Sequence, residues 1–531
     1  MSHGSSGAAE FEAIACGVRP IALVSQPDQC VFSLLVGPES RAMSSAPEKT
    51  PVPTFRPRID SLDQFRGYTM AGMFLVNYMG GTDTFPSILK HHNNYCSYSD
   101  SIMPHFLFAV GFAFRLTFGR RAHDQGLGAA YSRMFRRFLG LMLVAMVVYG
   151  ADRFETWEKL YNPDLGFGKN LWFILHPLFK REWMQTLGHI AVTSIWVLPV
   201  IRAGALVRIL WMLLSIAAHV FISGNAHIFD GYFETLSQMG AFLWVNESPA
   251  GIDGGPFGFL TWTICVIMGT LTCDVIIEGS GQPKLGKLLL WSVLLMGIAY
   301  ILSCGTRLYD VPVETTQAWI AERAAIREES AANEKVPDAE VKKEKAAELG
   351  ERARLLNSNK FPKDPVWPVK ERWTGKGLMN MLAEPPLFSR PPNPERDKAL
   401  ASVLGTDDLK TRREKKDYPD DWYYRQWNYW MMSQRGGTVS YPMFAAGFSI
   451  LVYLLFYVVC DKWGYSFFVF RTFGVNALLG YILQGLIGGL TQSFLPGDPP
   501  GWYAWANFGM YFFLMWFFLR FFEKSKIFVR M

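Results

Sequence analysis

Ten apolar runs punctuate the chain, near residues 62–80, 101–119, 131–150, 188–203, 205–223, 258–277, 284–303, 437–460, 472–491 and 503–522. Each approaches the roughly 17–25 residues that a helix needs to cross a bilayer. Runs such as Leu288–Leu295 and Phe448–Val459 are apolar on every face, whereas membrane β-strands alternate apolar and polar positions over short segments. The pattern predicts an all-α integral membrane protein of about ten transmembrane helices, helices 1–7 within 56–304 and helices 8–10 within 431–531.

Composition agrees with this reading: half of the residues are hydrophobic, and 41 Phe, 21 Tyr and 18 Trp bring the aromatic share to 15%. A wholly disordered chain is excluded. The net charge of +6 would suit nucleic acid, but in a membrane protein Lys and Arg first report orientation. The connection carrying Arg115, Arg120, Arg121, Arg133, Arg136 and Arg137 is assigned to the cytoplasm. Alternation then puts Arg202, Arg208, Lys284, Lys287, Lys462, Arg471, Arg520, Lys524, Lys526 and Arg530 on the same side. From Ile209 to Pro283 there is no Lys or Arg, as a non-cytoplasmic stretch requires, so both termini are predicted cytoplasmic and no nucleic-acid partner is expected.

Residues 1–55 lack a basic start followed by an apolar core and read as a flexible cytoplasmic tail, with Met43 an alternative initiator. The seven Cys are scattered, and neither a disulfide framework nor a metal site is expected from their spacing.

Residues 305–430 form a charged and aromatic insert between helices seven and eight, predicted to be extracytoplasmic. Thr315–Asn357, rich in Ala, Glu, Lys and Arg and interrupted by Pro337, predicts two water-facing helices. Pro clusters follow, and then Asp421–Trp430 with its Trp and Tyr residues. That segment reads as an aromatic belt at the bilayer interface or as a sugar-stacking platform.

Polar residues on the first helix stand out. Asp63, Arg66, Met70 and Asn77 share one helical face, with Arg66 and Asn77 ~16 Å apart at 1.5 Å per residue. Asp63 and Arg66 alone are explained by an intrahelical ion pair. The loop 81–100 that follows holds His91, His92 and Asp100; imidazole titrates near neutral pH and serves as base or nucleophile, and a carboxylate can orient it.

Arg58-Ile59-Asp60-Ser61-Leu62-Asp63-Gln64-Phe65-Arg66-Gly67, Val76-Asn77-Tyr78, the loop His, and Asp100 leading to Pro104-His105-Phe106-Leu107-Phe108 together resemble the membrane acyltransferases typified by heparan-α-glucosaminide N-acetyltransferase. Weaker matches follow at Asp253–Gly258 and Phe473–Tyr481. The resemblance implies transfer of acetyl from cytoplasmic acetyl-CoA, the co-substrate, across the membrane to an amino sugar or glycan, with membrane lipid around the protein and a homodimer. The family's active-site His maps to His91 or His92, His91 needing the smaller gap from Asp100. Its catalytic Asn maps to Asn77, and no metal is implied.

On this reading CoA phosphates meet Arg66, Arg120 and Arg121, Asn77 donates to the thioester carbonyl, and Asp100 orients the His. A covalent acyl-His and direct transfer both remain open. Intramembrane polar residues such as Arg66, Asn77 and Asn476 equally suit a transporter or flippase, or a structural membrane subunit. The expected location is a bacterial cytoplasmic membrane.

Overall fold

In a computed structural model of the chain, the described residues are 59–82, 85–86, 89–91, 95–150, 166–175, 185–225, 253–254, 257–278, 283–305, 313–358, 429–434, 436–496 and 499–529. Every regular element among them is helical. The ten apolar runs fall on α1 (Asp60–Met79), α2 (Tyr98–Gln125), α3 (Leu127–Gly150), α5 (Thr186–Val197), α6 (Ala205–Asn225), α7 (Gly258–Glu278), α8 (Leu285–Cys304), α11 (Ser440–Phe456), the pair α12 (Phe468–Val475) and α13 (Ala477–Gln492), and α14 (Gly501–Lys524). The remaining helices are the short α4 (Phe167–Leu175) and a hairpin of α9 (Val313–Asn333) and α10 (Ala339–Ser358). Residues 1–58, 359–428 and His92 lie outside the described residues, and with them the tail, most of the aromatic segment and the second half of the insert.

By length and apolarity alone, α2, α7, α8 and α11 with its π-helical extension Tyr457–Lys462 can cross a membrane, and α12 with α13 makes a fifth span if that bent pair is one. Arg66 in α1, Arg133, Arg136 and Arg137 in α3 and Arg520 in α14 interrupt their apolar runs, and the apolar parts of α5 and α6 are short. One expectation is corrected outright. The run 472–491 is not one helix: it bends by 95° at Asn476, whose φ of −119° and ψ of 41° leave the helical region. The Asn476 amide donates to the Ile527 carbonyl at 3.1 Å, which fastens the bend to the segment after α14.

Packing places α7 at the centre. It lies against α2, α5, α6 and α11, and its Trp262, Ile264, Val266 and Ile267 are fully buried. The crossing with α2 is close because Gly111 and Gly269 face it: a Cβ on Gly111 would sit 2.1 Å from the Val266 carbonyl oxygen, and one on Gly269 2.2 Å from that of Phe108. Small residues let helix backbones meet where apolar burial cannot drive them together. By contrast α8 turns Leu289, Leu290, Val293, Leu294, Ile298 and Ile301 outward, the surface expected of a lipid-facing helix. A second core joins α1 to α12, α13 and α14 through Phe74, Tyr78, Phe473, Ile487 and Tyr511.

Side-chain contacts sort the helix ends into two groups. At one end Asp461 accepts from the Asp60 and Ser61 amides at 3.1 and 3.3 Å, capping α1, as the positive helix N-terminus favours. At that same end Asp274 of α7 joins Arg115 of α2, at 2.7 Å, to the buried Arg208 of α6. At the opposite end lie the start of α2, the turn before α7 and the residues leading into α11.

Candidate active site

The second helix opens on a reciprocal cap. Ser97 Oγ accepts from the Asp100 amide, and Asp100 Oδ2 accepts from the Ser97 amide at 3.0 Å and from its hydroxyl at 2.8 Å. A Ser followed three residues later by an acid satisfies two orphan donors of a helix start. That cap fixes a carboxylate that is 1% exposed and leaves its other oxygen, Oδ1, to meet His91 Nδ1 at 2.8 Å. The Tyr441 hydroxyl of α11 donates to the Asp100 carbonyl, tying the helix start into the core. His91 itself keeps 54% of its side-chain surface accessible, so one ring face is open while the other is oriented by a buried acid.

Two further groups close on this pair. Asp253, in the turn before α7, is 4% exposed. It accepts from Gln434 Nε2 at 2.7 Å, and Gln434 also faces the His91 ring. Partial burial opposes a charged imidazole, but the hydrogen bond and charge of Asp100, with the charge of Asp253, prevail and raise His91 above its usual 6.5. Burial raises Asp253 to about 6, against the hydrogen bond from Gln434 and the attraction of His91. The turn holding Asp253 is unusual for a non-glycine residue, with φ of 53°; such conformations persist only where the surroundings impose them. Here the surroundings are Trp262 Nε1, which donates to the Asp253 carbonyl at 2.8 Å, and the apposed Gly254 and Gly437. Both glycines have positive φ, and a Cβ on Gly437 would lie 2.6 Å from Gly254 Cα.

The other expected site residues lie elsewhere. Asn77, on the last turn of α1, is exposed and donates to Gln484 Oε1 of α13 at 3.2 Å; a carboxamide has a second N–H to offer. Arg66 pairs with Asp63 at 3.6 Å, the intrahelical bridge that the spacing predicts. It also lies within Coulombic reach of Arg137 of α3, which in turn reaches Arg121, itself close to Arg133. Arg120 is exposed on the same end of α2. Like charges gathered from three helices repel, and Asp63 beside Arg66 offsets part of that repulsion.

Asp253 and Gln434 carried no assigned role in the sequence. Asp253 stands in a recognisable Gly-rich turn, but its burial and φ are tertiary facts. Gln434, an uncharged amide 181 residues further on, gives no signal at all. The Ser97-x-x-Asp100 spacing, in contrast, marks a helix start on inspection.

Residues 58–297 match the family model described as heparan-alpha-glucosaminide N-acetyltransferase, catalytic. The match covers a little under half of the chain and includes Arg66, Asn77, His91, Asp100 and Asp253; Gln434 and the segment Phe473–Tyr481 fall beyond it. A search of curated proteins found no match. Over residues 58–297 the chain is similar to that catalytic domain, and its apolar helices fit a membrane protein.

Proposed function

We propose, from the premise that residues 58–297 are an acetyltransferase-type catalytic domain, that this protein moves an acetyl group from cytoplasmic acetyl-CoA to an amino sugar or glycan on the other face of the membrane. The observation that carries the reading is the separation of two chemistries along one helix. On α2, Asp100 with its bound His91 stands at one end and Arg121 with its neighbouring arginines at the other. Twenty-one residues at 1.5 Å each give about 31 Å, close to the roughly 30 Å hydrocarbon core of a bilayer.

In this reading the helix ends described above are the two membrane faces, and ten crossings bring both termini to the arginine side, the cytoplasm. Arg66, Arg120 and Arg121, with Arg133 and Arg137, receive the CoA phosphates, because guanidinium groups pair with phosphate in a fixed fork. The pantetheine arm runs beside α1 toward Asn77, whose remaining N–H donates to the thioester carbonyl as charge develops there. His91, held by Asp100 in one tautomer and orientation, acts as nucleophile or base on its open face. The partners are a sugar or glycan acceptor, membrane lipid and a second copy of the chain.

The test is release of free thiol from acetyl-CoA by purified full-length protein with a panel of amino sugars and glycans, beside His91→Ala and His92→Ala. Acceptor-dependent release that His91→Ala abolishes, with acetyl-CoA still bound, is the expected result. Release that neither substitution slows removes His91 from the mechanism. Absence of both CoA binding and release turns the assignment toward a transporter or a structural subunit.

A further inference from the structure

Two carboxylates, not one, are trained on His91, and the second is built in at some cost. Asp253 is 4% exposed, takes a left-handed conformation, and is fixed by Trp262 through its backbone and by Gln434 through its side chain. Gln434 occupies Oδ1; Oδ2 takes no hydrogen bond from any described residue. That oxygen keeps lone pairs with which to accept from a ligand. Asp100 differs: its Oδ1 meets His91 and its Oδ2 meets Ser97, so it is spent on orientation.

Resting on the acyltransferase reading above, we propose that Asp253 is a second catalytic carboxylate, which receives the acceptor's amino group and takes its first proton, and that Gln434 is its positioning residue. An amino sugar arrives chiefly as an ammonium ion and cannot attack until it loses a proton. Asp253 Oδ2 accepts that proton, and the N–H electron pair stays on nitrogen. The free amine then attacks the acyl carbonyl carbon, forming the C–N bond as the bond from that carbon to its donor breaks, whether the donor is CoA sulfur or His91 nitrogen. The second amine proton goes to His91, which keeps it as the departing imidazole or passes it to the departing thiolate. The products are an amide, free CoA thiol and a protonated Asp253 that returns its proton to solvent. Dividing two protons between two bases explains why a carboxylate and an imidazole stand together, one buried and one open.

The geometry also gives the insert a stake in the reaction. Gln434 lies in the short stretch Tyr429–Thr438 that leads from the insert into α11, and this stretch is internally hydrogen-bonded: the Gly436 amide donates to Ser433 Oγ at 3.1 Å and the Ser433 amide to Thr438 Oγ1 at 3.2 Å. Thr261 of α7 donates to the Gly437 carbonyl at 2.7 Å, locking the stretch to the turn that carries Asp253.

The experiment uses the full-length protein with acetyl-CoA and two acceptors, glucosamine and hydroxylamine. Hydroxylamine is neutral at the assay pH and needs no first deprotonation. Asp253→Asn is expected to lower kcat for glucosamine by about 100-fold or more, with the acetyl-CoA Kd unchanged and a defect about tenfold smaller for hydroxylamine. Gln434→Ala is expected to show the same pattern at about tenfold loss, and it decides the matter if Asp253→Asn fails to bind acetyl-CoA and so does not fold. Wild-type kinetics in Asp253→Asn, or an equal defect with both acceptors, overturns the role of Asp253 while leaving the transferase standing. A wild-type protein that transfers acetyl to neither acceptor overturns both readings together.

Discussion

Asp100 serves two ends with one carboxylate. Its Oδ2 completes the cap of α2 while its Oδ1 orients His91, so the start of a helix and the aim of an imidazole are set by the same atoms. Ser97→Ala is expected to cost about 1 kcal/mol of stability, seen as a lower unfolding midpoint, and to reduce turnover as well because Asp100 loses the Ser97 hydroxyl as a donor. The pH profile follows from the same neighbourhood. His91 is raised above 6.5 and Asp253 lies at about 6, each feeling the other's charge, so the acidic limb belongs to that pair. Bases must be unprotonated to act: activity should fall as pH drops through about 6 and hold above the raised His91 value. Removing the Asp253 charge lowers the His91 pKa, so in Asp253→Asn the limb of the residual rate should move to lower pH; a limb that moves upward contradicts the arrangement. At this scale the sequence was half legible. His91 and Asp100 stand nine residues apart in a motif, whereas Asp253 and Gln434 stand 181 residues apart and become partners only once the chain between them has folded.

The helices were the most legible part, because apolar runs of this length have few other fates. What the runs do not reveal is where one is broken: Asn476 is one of several polar residues in 472–491, and only its bond to Ile527 and its dihedral angles turn it into a corner. Likewise the α9 and α10 hairpin is announced by Pro337, but its pairing of Arg352 with Glu322 and Glu329 is not. The crossing of α2 and α7 gives a sharp test of element packing. Gly269→Ala places a methyl group 2.2 Å from the Phe108 carbonyl oxygen, and since a backbone cannot yield as a side chain does, the helices must part. A loss of about 1–3 kcal/mol is expected, read as a lower thermal midpoint in detergent, together with reduced turnover because α2 carries Asp100 and α7 follows Asp253.

For the molecule as a whole, sidedness is the property that function requires. The proposed ten-crossing topology would put the α9 and α10 hairpin outside and the end of α14 inside. A membrane-impermeant maleimide should therefore label Ala347→Cys, an exposed position on α10, in intact cells. It should reach Ser525→Cys, exposed beyond α14, only after permeabilisation. Labelling of both from one side would refute the topology. The arginine surface makes a matching prediction: Arg137→Ala should raise the acetyl-CoA Kd about tenfold, the loss of one charge-assisted contact, without altering the pH profile.

The contact between Gly254 and Gly437 also bears on the order of events in the cell. A ribosome adding about 5–20 residues per second needs about 10–40 s to travel the 181 residues from Asp253 to Gln434. Throughout that interval α1, α2 and the His91 loop have already been synthesised, but the clasp that braces the Asp253 turn has not. Under the proposed function, competence to cleave a thioester thus arrives late, at the moment α11 is delivered, and a truncated nascent chain would be born with its chemistry unarmed.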